Sequence, residues 1–385
     1  MSVQTICGSS DAHPPSFVLN RDPKKWVYEN SPKVVLVNNF PPPTGIWKVA
    51  KLTHCAIKGE GELIMLRFGN FNYKTVDVNV CPTFGLSLKS NRVSSLLNHA
   101  LYPMVFNRVR RGLAELSSRG TVIHYLSENV VPIHFGRKTL VTVHGNPMAT
   151  IKSDKYYSSS NLHKVVTSFN LSRYGRQATA IAVSNYTMRG MLEYGYSGRV
   201  TVLYPAVDPI FGQRFDKGTL RRELGLPMDK YVVLSVSSAE KRKNLSILPK
   251  VMDILSNDYV LVRIGPPVRG ARTFRQISDD MVAKIYSASD VLLFPTLEEG
   301  FGYPLVEGFS SGVPVVSSDI DVVREVSAGA AILTEPEDPW KLANSVREAV
   351  SNREELAKLG HDRSKHFTIE AFRKRLLAVY SQLPT

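Results

Sequence analysis

The sequence predicts an α/β protein, with parallel sheets flanked by helices in two domains. Three observations carry the prediction. Short apolar runs of strand length recur at residues 33–38, 139–143, 231–238, 260–265 and 291–294. Runs that are apolar on successive residues, rather than on alternate ones, belong to strands buried on both faces, as in parallel sheets. Helix-like segments separate these runs, which is the alternation of βαβ units. Finally, 385 residues are more than one hydrophobic core ordinarily serves, so two domains are expected.

Residues 289–318 hold the clearest unit. A strand at 291–294 stops at Pro295, and an acidic loop flanked by glycine follows at 298–302. Pro304 sits in the first turn of a helix that Gly312 ends, and residues 313–317 form the next buried strand. Ligands of open parallel sheets bind where strands end and helices begin. The amides of Gly300, Phe301 and Gly302 suit an anion there, and the glycines allow close backbone approach. Glu299 and Glu307, eight positions apart, would leave two carboxylates to accept bonds from sugar hydroxyls on either side. This spacing resembles the E-x7-E motif of the GT-B, family-4-like retaining glycosyltransferases (glycosyl transferases group 1).

Taken in order, the chain opens with a polar extension, residues 1–32, that lacks the apolar core of a signal peptide. A first strand at 33–38 leads into a loop at 39–47 containing Gly45, with a helix over 48–57. The loop resembles the family's acceptor-side glycine loop, with Trp47 in place of the second glycine. Residues 91–116 read as a basic amphipathic helix, in which Arg108, Arg110 and Arg111 accompany Leu96, Leu97, Leu101, Met104, Val105 and Val109. Strands follow at 121–126 and 139–143, and the second ends in His144-Gly145 at the same ligand edge. Val141-Thr-Val-His144 matches the family's "V-T-V-H", whose histidine contacts the transferred sugar. His124 reads as structural. Ser184 should cap the helix 185–194. The family's linker "N-G-V-D" appears here as Pro205-Ala206-Val207-Asp208. The expected division is therefore an acceptor domain over 33–207 and a donor domain over 208–366, with a C-terminal helix at 367–385 crossing back to the first.

In the second half, the strand at 231–238 runs into Ala239-Glu-Lys-Arg-Lys-Asn-Leu245. Cations beside a helix start, at a strand's end, make a diphosphate clamp. The stretch resembles the family's "V-G-T-x-E-P-R-K-N-L", with Arg242 and Lys243 on the pair that neutralises the donor's phosphates. Ser237 replaces the usual glycine, and Ser238 stands where many members have another arginine. The strand at 260–265 closes on Gly265, at an edge that commonly lies beside the nucleotide base. Asp319 and Asp321 form a D-x-D, but they match the family's "S-D-I-x-x-x-x-E", completed by Glu325, so capping is expected rather than metal binding.

The charge is unevenly spread. The net charge is +14, and residues 1–210 carry 24 Lys and Arg against 11 Asp and Glu (+13). Residues 211–385 carry 24 against 23 (+1). A basic half asks for an anionic partner such as nucleic acid, a phospholipid surface or a phosphorylated substrate. No apolar stretch approaches about 18 residues, so no spanning helix is expected. Cys7, Cys55 and Cys81 have neither metal spacing nor disulfide density, and reduced cytoplasmic thiols are expected.

The resemblance implies a GT-B fold, two Rossmann-like doubly wound domains facing each other across a cleft, and retaining sugar transfer from a UDP- or GDP-linked donor. It needs no metal or cofactor. It places His144, Glu299, Lys243 and Arg242 at the reaction, with Glu299 on sugar hydroxyls. Gly45, Gly265, Gly300, Phe301, Gly302 and Glu307 hold the donor, with Glu307 on the ribose. With no nucleophilic carboxylate evident in the first domain's cleft motifs, front-face transfer assisted by the departing phosphate is favoured. The expected acceptor is a lipid-linked, polyprenol-linked or phosphorylated molecule at an anionic membrane surface, met peripherally from the cytoplasm. Two rivals stand beside this reading. A nucleotide-sugar epimerase on the same fold would need acid and base groups that are not identified. A nucleic-acid-binding or nucleic-acid-modifying protein would need a helix-turn-helix, zinc or aromatic-basic signature, and none is evident.

Overall fold

The computed structural model describes residues 33–39, 44–65, 79–80, 107–130, 132–152 and 161–384. Two parallel sheets organise them. The first contains β1 (Val34–Asn38), β2 (Gly61–Met65), β3 (Asn79–Val80), β4 (Val122–Tyr125), β5 (Thr139–Val143), β6 (Thr179–Ala182) and β7 (Val200–Val202). Its order is β3-β2-β1-β4-β5-β6-β7. The second contains β8 (Tyr231–Val236), β9 (Tyr259–Ile264), β10 (Ala271–Phe274), β11 (Val291–Phe294), β12 (Val315–Ser318) and β13 (Ile332–Thr334), in the order β10-β9-β8-β11-β12-β13. The order reverses at β1 and at β8. The crevices beyond the ends of β1 and β4, and of β8 and β11, are therefore where ligands of such sheets bind.

Helices cover both faces of each sheet. Around the first lie α1 (Gly45–Ala56), α2 (Asn107–Ser118), α3 (Pro147–Lys152), α4 (Asn161–Gln177) and α5 (Asn185–Tyr194). Around the second lie α6 (Lys217–Glu223), α7 (Ile247–Ile254), α8 (Asp279–Ala288), α9 (Tyr303–Ser310), α10 (Asp321–Ser327), α11 (Pro339–Ser351) and α12 (Arg353–Ser364). The last helix, α13 (Ile369–Ser381), packs on the first sheet.

The pattern of burial explains the strands. All five residues of β1 are buried. Val35 and Val37 enter a core with Leu113 and Leu116 of α2 and Tyr174 of α4. Val34 and Leu36 enter another with Leu52 of α1 and with Phe372, Leu376 and Tyr380 of α13. The second sheet repeats this arrangement. Leu234 and Leu292 face Tyr286, Leu305 and Phe309, while Val233 and Leu293 face Leu248, Val251, Leu342 and Val346. Most of the strands missed by the sequence reading are short or polar, β3 and β13 being two and three residues long. β10, for example, is Ala-Arg-Thr-Phe with no buried residue.

Several expectations are corrected. Helix α1 takes Gly45 as its first residue, because the Thr44 hydroxyl accepts the Trp47 N–H at 3.1 Å and starts the helix early. In α2 the apolar residues Val109, Leu113 and Leu116 are buried in the core, while Arg110 and Arg111 are exposed. The apolar side of α2 is therefore taken up by packing and is not free for a membrane. Residues 1–32 and 91–106 lie outside the described residues. Cys55 is disulfide-bonded, against the expectation of reduced thiols, and its partner lies outside the described residues.

His124 is structural, as read from the sequence. It is buried, with Nδ1 2.9 Å from the Tyr380 hydroxyl and Nε2 2.8 Å from Thr142 Oγ1. Burial, with His144 adding to it, lowers its pKa to about 3, so it stays neutral. The hydrogen bond ties α13 to β4. Where α13 leaves the second domain, the Val207 N–H donates to the Phe367 carbonyl at 2.7 Å, so the two interdomain crossings lie side by side. Tyr380→Phe should cost about 1–3 kcal/mol by leaving a buried imidazole nitrogen unpartnered. Urea unfolding measures this.

Candidate active site

The loops that end β1, β4 and β5 meet those that end β8 and β11. His144 directly follows β5, and its Nε2 lies 2.7 Å from the Leu126 carbonyl. A carbonyl only accepts, so Nε2 carries a proton, and in the neutral ring Nδ1 is left as an acceptor. The His144 main-chain N–H donates to Glu128 Oε2 at 3.1 Å, and Glu128 is a buried carboxylate just beyond β4. The sequence reading missed this acid, since nothing around Ser127-Glu-Asn marks it as facing β5. Across the cleft, a Cβ added to Gly300 would overlap the His144 carbonyl oxygen and lie 3.2 Å from Gly145 Cα. Glycine is needed there so that one domain's backbone can touch the other's. The Ser184 hydroxyl, which also caps α5, donates to the Gly300 carbonyl at 2.7 Å.

Glu299 is buried and ringed by donors. Lys243 pairs with its Oε1, Arg242 Nη1 lies 3.2 Å from Oε2, and Thr296 Oγ1 donates to Oε1 at 3.0 Å. Burial alone would raise its pKa, but Lys243 and Arg242 beside it hold the carboxyl below the usual range. The two cations come from a short 3-10 turn, Lys241–Lys243, just after β8. That turn is stitched to the β11 loop, because the Leu297 N–H donates to the Arg242 carbonyl at 2.7 Å and Arg242 Nη1 donates to the Glu298 carbonyl at 3.0 Å. The predicted cluster of His144, Arg242, Lys243, Glu299 and Gly300 is thus brought together.

Glu307 lies in the second turn of α9, only 2% exposed. Tyr286 donates to its Oε2 at 3.0 Å, and Lys48 Nζ is 2.5 Å from its Oε1. Lys48 comes from α1 of the first domain, and the sequence reading did not single it out. Gly302 caps α9 in the left-handed region (φ 92°). The Phe301 ring packs among Tyr204, Tyr303 and Phe367, so only its main chain belongs to the cleft. A Cβ on Gly45 would meet nothing within 4 Å, which leaves open space at the start of α1. Gly265 has φ 127°, and a Cβ there would overlap the Ser237 carbonyl. Fully buried Arg263 holds this corner, with Nη1 2.8 Å from the Ser235 carbonyl and Nη2 2.8 Å from Ser237 Oγ.

The D-x-D pair is occupied by cations. Asp319 lies 2.5 Å from Arg324 Nε, and Asp321 lies 3.1 Å from Arg189 Nη2. Glu325 accepts the main-chain N–H groups of Asn185 and Tyr186 at 2.6 and 3.1 Å, capping the first turn of α5 from the opposite domain.

Glu298, beside Glu299, accepts the Tyr186 hydroxyl on Oε2 at 2.9 Å, while its Oε1 is buried without a hydrogen-bond partner. Burial pushes its carboxyl up to about 7. Glu299 adds to the rise, against the pull of Tyr186 and Arg242. The folded protein therefore holds a proton that the unfolded chain has already released, between the ordinary glutamate pKa and about 7. Stability falls as pH rises through that window. Glu298→Gln keeps an acceptor for Tyr186 and should flatten this dependence, as urea unfolding at pH 5.5 and pH 8 would show.

Comparison with known proteins concerns the fold and the second half of the chain. The family described as Glycosyl transferases group 1 matches residues 230–352. O-antigen chain mannosyltransferase RfbU of Salmonella typhimurium is 27% identical over 255 residues, covering 59% of this chain and 68% of RfbU. D-inositol 3-phosphate glycosyltransferase of Corynebacterium urealyticum is 24% identical over 233 residues, covering 50% of this chain and 54% of that protein. The match to the latter therefore spans about half its length. Among solved structures, sucrose-phosphate synthase from Thermosynechococcus elongatus aligns with TM-score 0.71 at 16% identity, over 91% of this chain and 98% of that one. Anabaena HepE in complex with UDP and glucose aligns with TM-score 0.69 at 15% identity, over 91% and 100%. At such identities the structures share the fold alone. Its paired parallel sheets and these likenesses give the chain the GT-B fold, and residues 230–352 form the part of it that matches the family described as Glycosyl transferases group 1.

Proposed function

We propose that the protein transfers a sugar from a UDP- or GDP-linked donor, with retention at the anomeric carbon and without a metal. The acceptor is a lipid-linked or phosphorylated molecule at an anionic membrane surface on the cytoplasmic side. The observation that carries this reading is the buried Glu299 held between Lys243 and Arg242, beside the contact of Gly300 with His144. Breaking the anomeric bond builds negative charge on the diphosphate and positive charge on the sugar. Arg242 and Lys243 stabilise the first when the diphosphate takes them over from Glu299. Glu299, released from them, accepts sugar hydroxyls, and His144 Nδ1 offers a further acceptor from the first domain. Glu307 holds the ribose. Glu128 already accepts the His144 N–H, and in this reading it anchors that loop, so the departing phosphate takes the acceptor's proton.

The likeness to HepE in complex with UDP-glucose supports a nucleotide-sugar donor. A lipid-linked acceptor draws support from the O-antigen mannosyltransferase RfbU and from WaaG, a glycosyltransferase involved in lipopolysaccharide biosynthesis, which aligns with TM-score 0.67. No helix among the described residues is long and apolar enough to cross a membrane, so attachment would be peripheral. Exposed Arg110 and Arg111 on α2, and exposed Val165, Phe169 and Leu192 on α4 and α5, are surface groups of the first domain suited to such contact.

Lys243→Ala should weaken binding of whichever of UDP and GDP the protein takes, by about 1.5–3 kcal/mol, the range for a hydrogen bond to a charged group. Calorimetry giving equal affinities would remove Lys243 from the phosphate site. Glu299→Gln should lower turnover of the nucleotide-sugar far more than affinity for the free nucleotide. Turnover should survive EDTA, whereas strict dependence on a divalent ion would make Asp319 and Asp321 candidates again. Changing Arg108, Arg110 and Arg111 to Gln should reduce co-sedimentation with anionic vesicles at low salt and leave nucleotide binding intact. Equal binding of the wild type to neutral and anionic vesicles would remove the anionic surface from this reading, and binding to neither would leave only a soluble acceptor.

A further inference from the structure

Lys48 carries a charge that the proposed reaction leaves unused. It lies in the first turn of α1, yet its ammonium reaches across the cleft to Glu307 Oε1 at 2.5 Å. The rings of Phe211 and Tyr303 flank that ammonium at 5.7 and 5.9 Å, so it sits in a cage of one carboxylate and two aromatic faces. Tyr286 already occupies the other carboxylate oxygen, at 3.0 Å. One turn along α1, Lys51 lies 3.3 Å from Asp208, on the connection between the domains, and 3.2 Å from Asp279 at the start of α8. Two lysines of the first domain thus tie α1 to the donor half.

We propose that Lys48 gates the donor's ribose seat. Its ammonium holds Glu307 until ribose hydroxyls displace it, so donor entry and the release of Lys48 from Glu307 are one event, while Lys51 keeps α1 tied to Asp208 and Asp279. The proposal rests on the reading of Glu307 as the ribose acceptor. Its physical basis is occupancy. A carboxylate this deeply buried needs a partner or it gives up its charge, and without donor Lys48 is that partner. With Tyr286 on Oε2, a ribose must compete for Oε1, the oxygen that Lys48 holds. A donor that binds only the unlatched protein has its apparent affinity reduced by the unlatched fraction. A contact that merely steadies the folded protein would impose no such competition.

The test is Lys48→Met, which keeps the apolar stem and removes the charge. Titrated calorimetrically with UDP and with GDP, the variant should bind the accepted nucleotide about tenfold more tightly, if the latch is closed about nine times in ten. KM for the corresponding nucleotide-sugar should fall by a similar factor. Unchanged or weaker nucleotide binding by the folded variant would overturn the gate. Glu307→Gln made on top of Lys48→Met reports on the ribose seat by itself. If that second change leaves affinity untouched, the reading of Glu307 fails. If it weakens binding while Lys48→Met alone changed nothing, only the gate fails. Should Lys48→Met not fold, the wild type still decides the matter by lysine acetylation read out by mass spectrometry. Lys48 should be protected without nucleotide and become reactive at saturating UDP or GDP, and equal protection in both conditions overturns the proposal.

Discussion

The backbone of Gly300 rests against the carbonyl of His144, and the cleft takes its dimensions from that contact. It fixes the distance between the end of β5 and the end of β11. Because a side chain at 300 would push the two apart, the residue is set by the meeting of the domains rather than by the local turn alone. Ser184 secures the same point by donating to the Gly300 carbonyl while its hydroxyl also starts α5. Glu299 and the Lys241–Lys243 turn are carried on this contact, as neighbours in sequence or through hydrogen bonds to the same loop.

Charge is balanced locally around this contact. Glu299 is matched by Lys243 and Arg242, Glu307 by Lys48, Asp208 by Lys51, and Glu298 by a hydroxyl, its carboxyl pKa pushed up to about 7 by burial. Burying such acids carries a desolvation cost that their partners offset, and stripping away one partner leaves an uncompensated buried charge. In the proposed function, a nucleotide-sugar, with a diphosphate between its nucleoside and its sugar and hydroxyls on both, would exchange for these internal partners. Phosphate would replace the carboxylates on the cations, and hydroxyls would replace the cations on the carboxylates.

Much of this was legible in the sequence because parallel strands are written plainly. Val-Val-Leu-Val in β1 and Val-Leu-Leu-Phe in β11 are buried on every residue, and no other environment asks for that pattern so directly. Glu299, Glu307, Arg242 and Lys243 were found because local spacing at a strand end is a signal in one dimension. Lys48 and Glu128 were not found, since their meaning lies in pairings across 259 and 16 positions of chain. A lysine in the first turn of a helix looks like a solvated charge until the other domain is set against it. β10 escaped for the opposite reason, being an edge strand whose Ala-Arg-Thr-Phe carries no buried pattern.

The pairing of Val207 with Phe367 has a mechanical consequence. Among the described residues the chain passes between the domains twice, and the two passages are fastened to each other at that point. A single tether would let the halves twist and swing freely. Two tethers joined at one place leave mainly a rotation about the line they share. Any swing of one half against the other would then share a single axis, with α13, anchored through Tyr380 and His124 in the far core, on the fixed side of it.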